Sequence, residues 1–299
     1  MAQAPIAAPD FRTPRQFVDV RGFSRTLIAR RSWFIAFLLL DAVVIYGLVT
    51  DPILIETSNY ILPGIGVTVQ ITLISFILAT IIGLFVALAR ISKNIFIYNL
   101  STFYVELFRG LPLLVIILIF SFVITPAFID FAVRIPILDD LVQRLAGINP
   151  EVIANTVIRT RDIPDNTRIL FAFALTYGAF MSEVFRAGIE SIGRGQTEAA
   201  RSLGMTYVQA MRFVILPQAI RNVLPAMANN FVLLLKDTSL ASTVAVPEIS
   251  YLTRQYSSNR FRYPEGLLVL SFIYANLTIL MSLGVYWLET RLQGDRRED

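Results

Sequence analysis

The run Ile65–Ala89 constrains this chain more than any other stretch. A helix needs roughly 20 mostly apolar residues to cross the hydrocarbon core of a bilayer, and this run supplies them. Five further segments have similar character: Trp33–Val49, interrupted by Asp41; Phe103–Ile124, with Gly110 and Pro112 near its start; Ile169–Ile189, which carries Glu183; the short Val223–Leu235, beginning near Pro225; and Leu267–Leu288. Composition agrees. Of 299 residues, 55% are apolar and the mean hydropathy is +0.63, too oily for an ordinary soluble domain. The expected fold class is an all-α polytopic membrane protein with about six transmembrane helices.

What the chain lacks narrows its chemistry. It has no Cys and no His, which excludes disulfides, thiolate or imidazole metal ligands, Cys or His nucleophiles and His-ligated haem. No metal site and no cofactor bound by this chain is expected. A membrane enzyme finds no support without those groups or a clustered acidic pair. There is no G-x-x-x-x-G-K-[ST], so the chain carries no ATPase site of its own. The net charge of +4 is small, and the basic residues gather at the ends of apolar runs. That is a topology signal and not a nucleic-acid footprint.

With the N-terminus inside, most of the 26 Lys and Arg fall on inner segments: Arg12 to Arg31, then Arg90, Lys93 and Arg109, then Arg186 to Arg221, then Arg291 to Arg297. Five of the remainder (Arg134, Arg144, Arg159, Arg161 and Arg168) sit in one long outer loop, which the positive-inside rule discounts. Both termini are therefore expected in the cytoplasm, with the chain in the cell's inner (plasma) membrane. The expected organisation is a cytoplasmic tail at 1–31 and an extra span with outer loop at 32–60. A transmembrane domain follows at 61–292, and a short tail at 293–299. Within the domain lie an outer insertion at 125–168 and a cytoplasmic loop at 193–217. In the insertion, Ile137, Leu138, Leu141, Val142 and Leu145 recur at helical spacing among charges, the pattern of a surface amphipathic helix or a solvated spacer. Thr68, Thr72, Ser75, Ala79 and Gly83 share one helical face, as do Ser271, Ala275, Thr278 and Ser282. Such faces let helices pack closely in lipid.

The inner segment "GQTEAARSLGM", Gly195–Met205, is polar and rich in small residues. Thr197 is expected as an N-cap, with Glu198 in the first turn against the helix dipole. Gly204 is expected to end that helix at positive φ. Thr206 then caps a second helix with Tyr207, Val208, Met211, Val214 and Ile215 on its apolar face. Pro217 and Pro225 punctuate the return to the membrane. The product is a helix–Gly–helix element with the form of a docking surface.

Glu198-Ala199-Ala200, three residues, Gly204, nine residues, Val214, one residue, then Leu216-Pro217 resembles the cytoplasmic signature of ABC-importer permease subunits. Ile is usual in that family where Val214 stands. "MSEVFRAGIESIGRGQTEAARSLG", "LPQAIRNVLPAMANNFVLLLKDTSLAS" and "YVELFRGLPLLV" look like its polar-amino-acid branch, and the resemblance covers most of Gly64–Leu292. It implies five core spans, here preceded by one more. It also implies that the element around Glu198 inserts into a groove of a separate ATPase subunit, which as a dimer binds ATP and Mg. The other implied partners are a second permease subunit (self or sister), an extracytoplasmic solute-binding protein and an amino-acid substrate. A permease for another small solute class in the same superfamily remains open. So does an ATP-independent secondary transporter, to which Glu183 would suit proton coupling, though no internal repeat is found.

Ionisable residues in lipid are expensive and face a cavity or a partner. Glu183 is expected either on the translocation path, contacting a substrate ammonium, or paired with Arg186 three residues on. Lys236 and Asp237 lock one another, contact substrate, or hold Thr238 and Ser239 in a break. Arg109-Gly110-Leu111-Pro112 allows a break near the inner mouth, at a gate or in a structural role, where Arg109 is expected to pair with Glu106.

Overall fold

The structure is a computed structural model that describes residues 20–132 and 165–293. The expected amphipathic segment at 137–145 lies outside the described residues. The chain forms two compact units, Met1–Asp51 and Pro52–Asp299. The first contains α1 (Val20–Thr50), whose apolar part is Ile35–Thr50. The expected tail at 1–31 is thus helical from Val20 onward, because no proline lies between Pro14 and Pro52 to stop it.

The second unit begins with α2 (Pro52–Ile61) and α3 (Gly64–Arg90). Asn94 then caps α4 (Ile95–Gly110), its side chain accepting from the N–H groups of Phe96 and Ile97. Next come α5 (Leu113–Ile119), a π-helical turn (Phe120–Ile124) and α6 (Thr125–Ala132). After the undescribed insertion run α7 (Asp165–Glu190), α8 (Arg194–Ser202), α9 (Tyr207–Ala210), a second π-helical turn (Met211–Ile215) and α10 (Leu216–Asp237). A 3₁₀ segment (Thr238–Val244), α11 (Ile249–Arg260) and α12 (Tyr263–Gln293) close the unit.

Among the described residues, three helical segments are long and apolar enough to cross a membrane: Pro52–Arg90, Asn166–Glu190 and Tyr263–Val285. The expected third span, Phe103–Ile124, is not one rod. Its two halves meet at 107°. Pro112 disfavours the helical region for the residue before it, and Leu111 is extended at φ −101° and ψ 140°. The expected fifth span, Val223–Leu235, lies inside α10, which already begins at Leu216. Pro225 does not start that helix but sits within it. Arg221, Asn222, Asn229 and Lys236 on its exposed side dilute its hydropathy below that of a lipid-facing rod.

The small-residue face of α3 is used for close packing. Thr68, Thr72, Ser75 and Ala79 are fully buried. A Cβ on Gly83 would stand 2.5 Å from the Cβ of Met181 on α7, so only glycine permits this approach. A similar crossing joins α7 to α10, where a Cβ on Gly188 would meet Val223 Cγ1 at 2.1 Å. Around these contacts Ile71, Ile116, Ile117, Ile169, Phe173 and Leu234 form the core. The corresponding residues of α12, Ser271, Ala275, Thr278 and Ser282, are only partly covered or exposed within this chain.

Candidate functional site

Two constellations stand out: the helix–Gly–helix element and a cluster of charged side chains near the C-terminal end of α7.

The first is built by its caps. α7 ends at Glu190, and Gly193 in extended geometry (ψ 139°) is the N-cap of α8. Thr197, the expected cap, is inside the helix, and Glu198 falls in its second turn. The early start follows from Gly193, which turns the chain before Thr197 is reached. The other end matches expectation. Gly204 has φ +79°. Its N–H donates to Arg201 O at 2.9 Å, and the Met205 N–H donates to Ala200 O at 3.2 Å. Those two bonds make a Schellman motif, which satisfies carbonyls that the helix end leaves open. Thr206 caps α9 in a capping box: Gln209 N–H donates to Thr206 Oγ1, and Thr206 N–H donates to Gln209 Oε1 at 2.8 Å.

The element is anchored on one side and open on the other. Ala200 is buried, and Met211, Ile215 and Ala219 pack with Ile189 at the foot of the bundle. Val214 and Leu216 lie against this cluster, and Pro217 occupies the first turn of α10. Leu203 (79% exposed), Val208 (71%), Phe213 (63%) and Tyr207 (56%) face outward, and Leu203, Gly204, Met205, Gln209 and Phe213 line an open pocket. Only Met211 and Ile215 of the expected apolar face are buried, while Tyr207 and Val208 are turned to the outside. Clustered exposed apolar side chains of this kind mark an interaction surface.

In the second constellation Glu183 is the hub. Its Oε1 accepts from Arg90 Nη1 at 2.5 Å and from Arg109 Nη1 at 3.2 Å. Its Oε2 accepts from Arg186 Nη2 at 2.8 Å and Nε at 3.2 Å. Arg186 also reaches Glu190, with both contacts at 3.0 Å. Three helices thus converge: Arg90 ends α3, Arg109 lies in the last turn of α4, and Glu183 and Arg186 sit on α7. The Arg186 pair was expected. The Arg109–Glu106 pair is not formed: Arg109 turns to Glu183 and rests 5.8 Å from the centre of the Phe180 ring, while Glu106 is exposed. A helix end that packs against α7 offers Arg109 a half-buried carboxylate in place of a solvent-facing one. Arg90 escaped the sequence reading, although its place at the inner end of a span was the available signal.

Lys236 and Asp237 do not lock one another. Asp237 Oδ2 accepts from Tyr177 OH at 2.7 Å, tying the end of α10 to the middle of α7, and Lys236 is exposed. At an i,i+1 spacing the two side chains diverge around the helix. Thr238 is fully buried, donates to Leu235 O at 2.6 Å and opens the 3₁₀ segment, so a break does lie there. Glu248 was also missed. It is fully buried and caps α11, with Oε1 accepting from Tyr251 N–H at 2.7 Å and Oε2 from Tyr274 OH at 2.9 Å. Burial pushes its carboxyl above the usual carboxylate range, although the hydrogen bonds from α11 and from Tyr274 oppose this. Pro-Glu ahead of a polar helix was the signal.

A family model described as "Binding-protein-dependent transport system inner membrane component" matches residues 79–294. Among curated proteins, the chain is 33% identical over 220 residues to the "Probable amino-acid ABC transporter permease protein YckA" of Bacillus subtilis, covering 74% of this chain and 83% of that one. It is 28% identical to the "Glutamate/aspartate import permease protein GltK" of Escherichia coli O157:H7, covering 80% and 96%. Among solved structures it is similar to the "Crystal structure of an amino acid ABC transporter with histidines", with a TM-score of 0.62 and 31% identity over 79% of this chain and 96% of that one. The caps, the broken third span and the membrane-length helices described above are parts of one architecture, and the chain belongs to the family of binding-protein-dependent transport system inner membrane components.

Proposed function

We propose that this chain is the permease subunit of an ATP-driven importer for polar amino acids and forms half of the translocation path. The observation that carries the coupling role is the element at 193–217: a rigid Schellman turn at Gly204 that holds an apolar patch of Leu203, Tyr207, Val208 and Phe213 outward from an anchored base. In this reading Glu198, Ala199, Ala200, Gly204, Val214, Leu216 and Pro217 shape the docking element. An ATPase subunit dimer receives it and holds the ATP and Mg, this chain having no catalytic site of its own. A second permease subunit, self or sister, completes the path, and an extracytoplasmic binding protein delivers substrate. Both termini lie in the cytoplasm. The amino-acid class is supported by the names of the similar proteins.

Glu183 has the role of a structural node in this reading, since three guanidiniums already use both its oxygens. The test is uptake of labelled amino acids into proteoliposomes holding the permease, its ATPase and its binding protein. ATP-dependent uptake of a polar amino acid is the expected result. Uptake without ATP would favour a secondary transporter, and ATP-driven uptake of a different solute class would move the chain to another branch of the family.

A further inference from the structure

Among the described residues, charge counting at the Glu183 cluster leaves one cation over. Arg90, Arg109 and Arg186 face Glu183 and Glu190, so three positive charges meet two negative ones. The three arginines are not held alike. Arg90 has a side chain only 9% exposed and bonds Glu183 at 2.5 Å. Arg186 is shared between both carboxylates in close contacts. Arg109 is the most exposed at 42%, and its single contact to Glu183, at 3.2 Å, is the longest of the three ion pairs on that carboxylate. The surplus charge therefore belongs to Arg109.

Its placement gives that charge a direction. Glu183 lies seven residues from the inner end of α7 and eighteen from the outer end, so roughly 10 Å from one and about 27 Å from the other. This is within the membrane, where an uncompensated cation is costly. Arg109 also stands one residue before the break at Gly110–Pro112, against the half-exposed ring of Phe180. A guanidinium presents a fork that matches a carboxylate with two parallel hydrogen bonds, and the aromatic ring beside it gives an apolar wall.

Resting on the permease reading above, we infer that Arg109 is the receptor for the substrate's carboxylate, and that Glu183 positions it without itself taking the substrate ammonium. A carboxylate arriving at Arg109 restores neutrality to the cluster, which a cationic amine lacking that group cannot do.

The experiment measures ligand binding to the purified permease–ATPase complex in nanodiscs, with no binding protein present. The probes are three amino acids and their decarboxylated amines: arginine and agmatine, histidine and histamine, glutamine and 4-aminobutanamide. At least one amino acid is expected to bind more tightly than its amine by roughly tenfold or more, the scale of one lost charge-assisted hydrogen-bonded pair. Arg109→Gln is expected to erase that preference. Arg109→Lys keeps the charge without the fork, and is expected to keep the preference at reduced affinity.

Three binding outcomes overturn the inference: a wild-type complex that does not prefer any amino acid over its amine, an Arg109→Gln complex that retains the preference, or an Arg109→Lys complex that has none. Separation of the two permease subunits by Arg109→Gln before any ligand is added also overturns it, by assigning the residue to a subunit contact. ATP-driven uptake by the wild-type transporter tests the permease reading itself and stands or falls independently of Arg109.

Discussion

Arg90 and Glu183, 93 positions apart in sequence, meet at 2.5 Å with the arginine side chain only 9% exposed. The bond closes the C-terminal end of α3 onto α7. Removing Arg90 leaves Glu183 with Arg109 and Arg186, so the loss is that of a part-buried, charge-assisted hydrogen bond, about 1.5–3 kcal/mol. Arg90→Gln is therefore expected to lower complex yield and melting temperature strongly. Arg186→Gln should cost less, because the Arg186 side chain is 33% exposed where that of Arg90 is 9% exposed. Thermal denaturation in detergent checks the order, and equal losses in the two variants would refute it.

Gly204→Ala isolates backbone strain at the Schellman turn. No atom lies within 4 Å of a Cβ there, so the penalty is the positive φ alone, roughly 1 kcal/mol. Membrane insertion and folding should survive. Gly204→Asp adds a charge at the proposed docking pocket, and it is expected to abolish co-purification of the ATPase and uptake together. Retention of both would remove this turn from the coupling surface.

Gly83→Ala puts a Cβ 2.5 Å from Met181 Cβ and 3.0 Å from Met181 backbone. Overpacking of this kind costs typically about 1–3 kcal/mol. Gly66→Ala, in the same helix with nothing within 4 Å, is the matched control and is expected to be neutral or mildly stabilising. Similar melting temperatures for the two variants would contradict the close α3–α7 approach.

The buried Glu248 carboxyl has its pKa raised, largely by burial. The unfolded chain then loses its proton first as pH rises, so the folded state holds more protons across the window. The contribution of this group to stability is thus full below the ordinary carboxylate pKa and declines as pH rises from there through the raised value. Glu248→Gln should flatten that decline. Melting curves between about pH 5 and about pH 8 read it, and identical slopes in both proteins would exclude Glu248 as their source.

Orientation is testable at Ser24 and Gln196. Cysteines placed there in a chain that has none should both be labelled only from the cytoplasmic side of intact cells. Labelling of either from outside would reverse the topology.

Local features were legible in sequence and distant partners were not. Gly204 and Thr206 were readable because a left-handed stop and a capping box are decided by residues within a few positions. The stripe from Thr68 to Gly83 was readable because side-chain period fixes a helix face. Thr197 misled because Gly193 could start the helix earlier, and both residues suit an N-cap. Glu183 was visible as costly, but its partners Arg90 and Arg109 come from helices 93 and 74 positions away. Only packing decides such encounters. Pro225 misled because a proline usually marks a helix boundary, whereas here it lies in the middle of α10, where its cost of about 3 kcal/mol is offset by packing.

The crossing at Gly188 gives α10 the geometry of a lever. Val223, the side chain that fits against that glycine, is seven residues from the N-terminal end of the helix at Leu216 and fourteen from the C-terminal end at Asp237. The arms are thus roughly 10 Å and 21 Å long. If the tight crossing serves as the fulcrum, a tilt that moves the N-terminal tip by about 1 Å swings the C-terminal tip by about 2 Å the other way. A modest stroke beside the element at 193–217 would then arrive magnified and reversed at Asp237 and its tether to Tyr177. Spin-label distances at the two tips, recorded with and without ATP, would read the ratio directly, and equal displacements in one direction would mean that the rod slides instead of rocking.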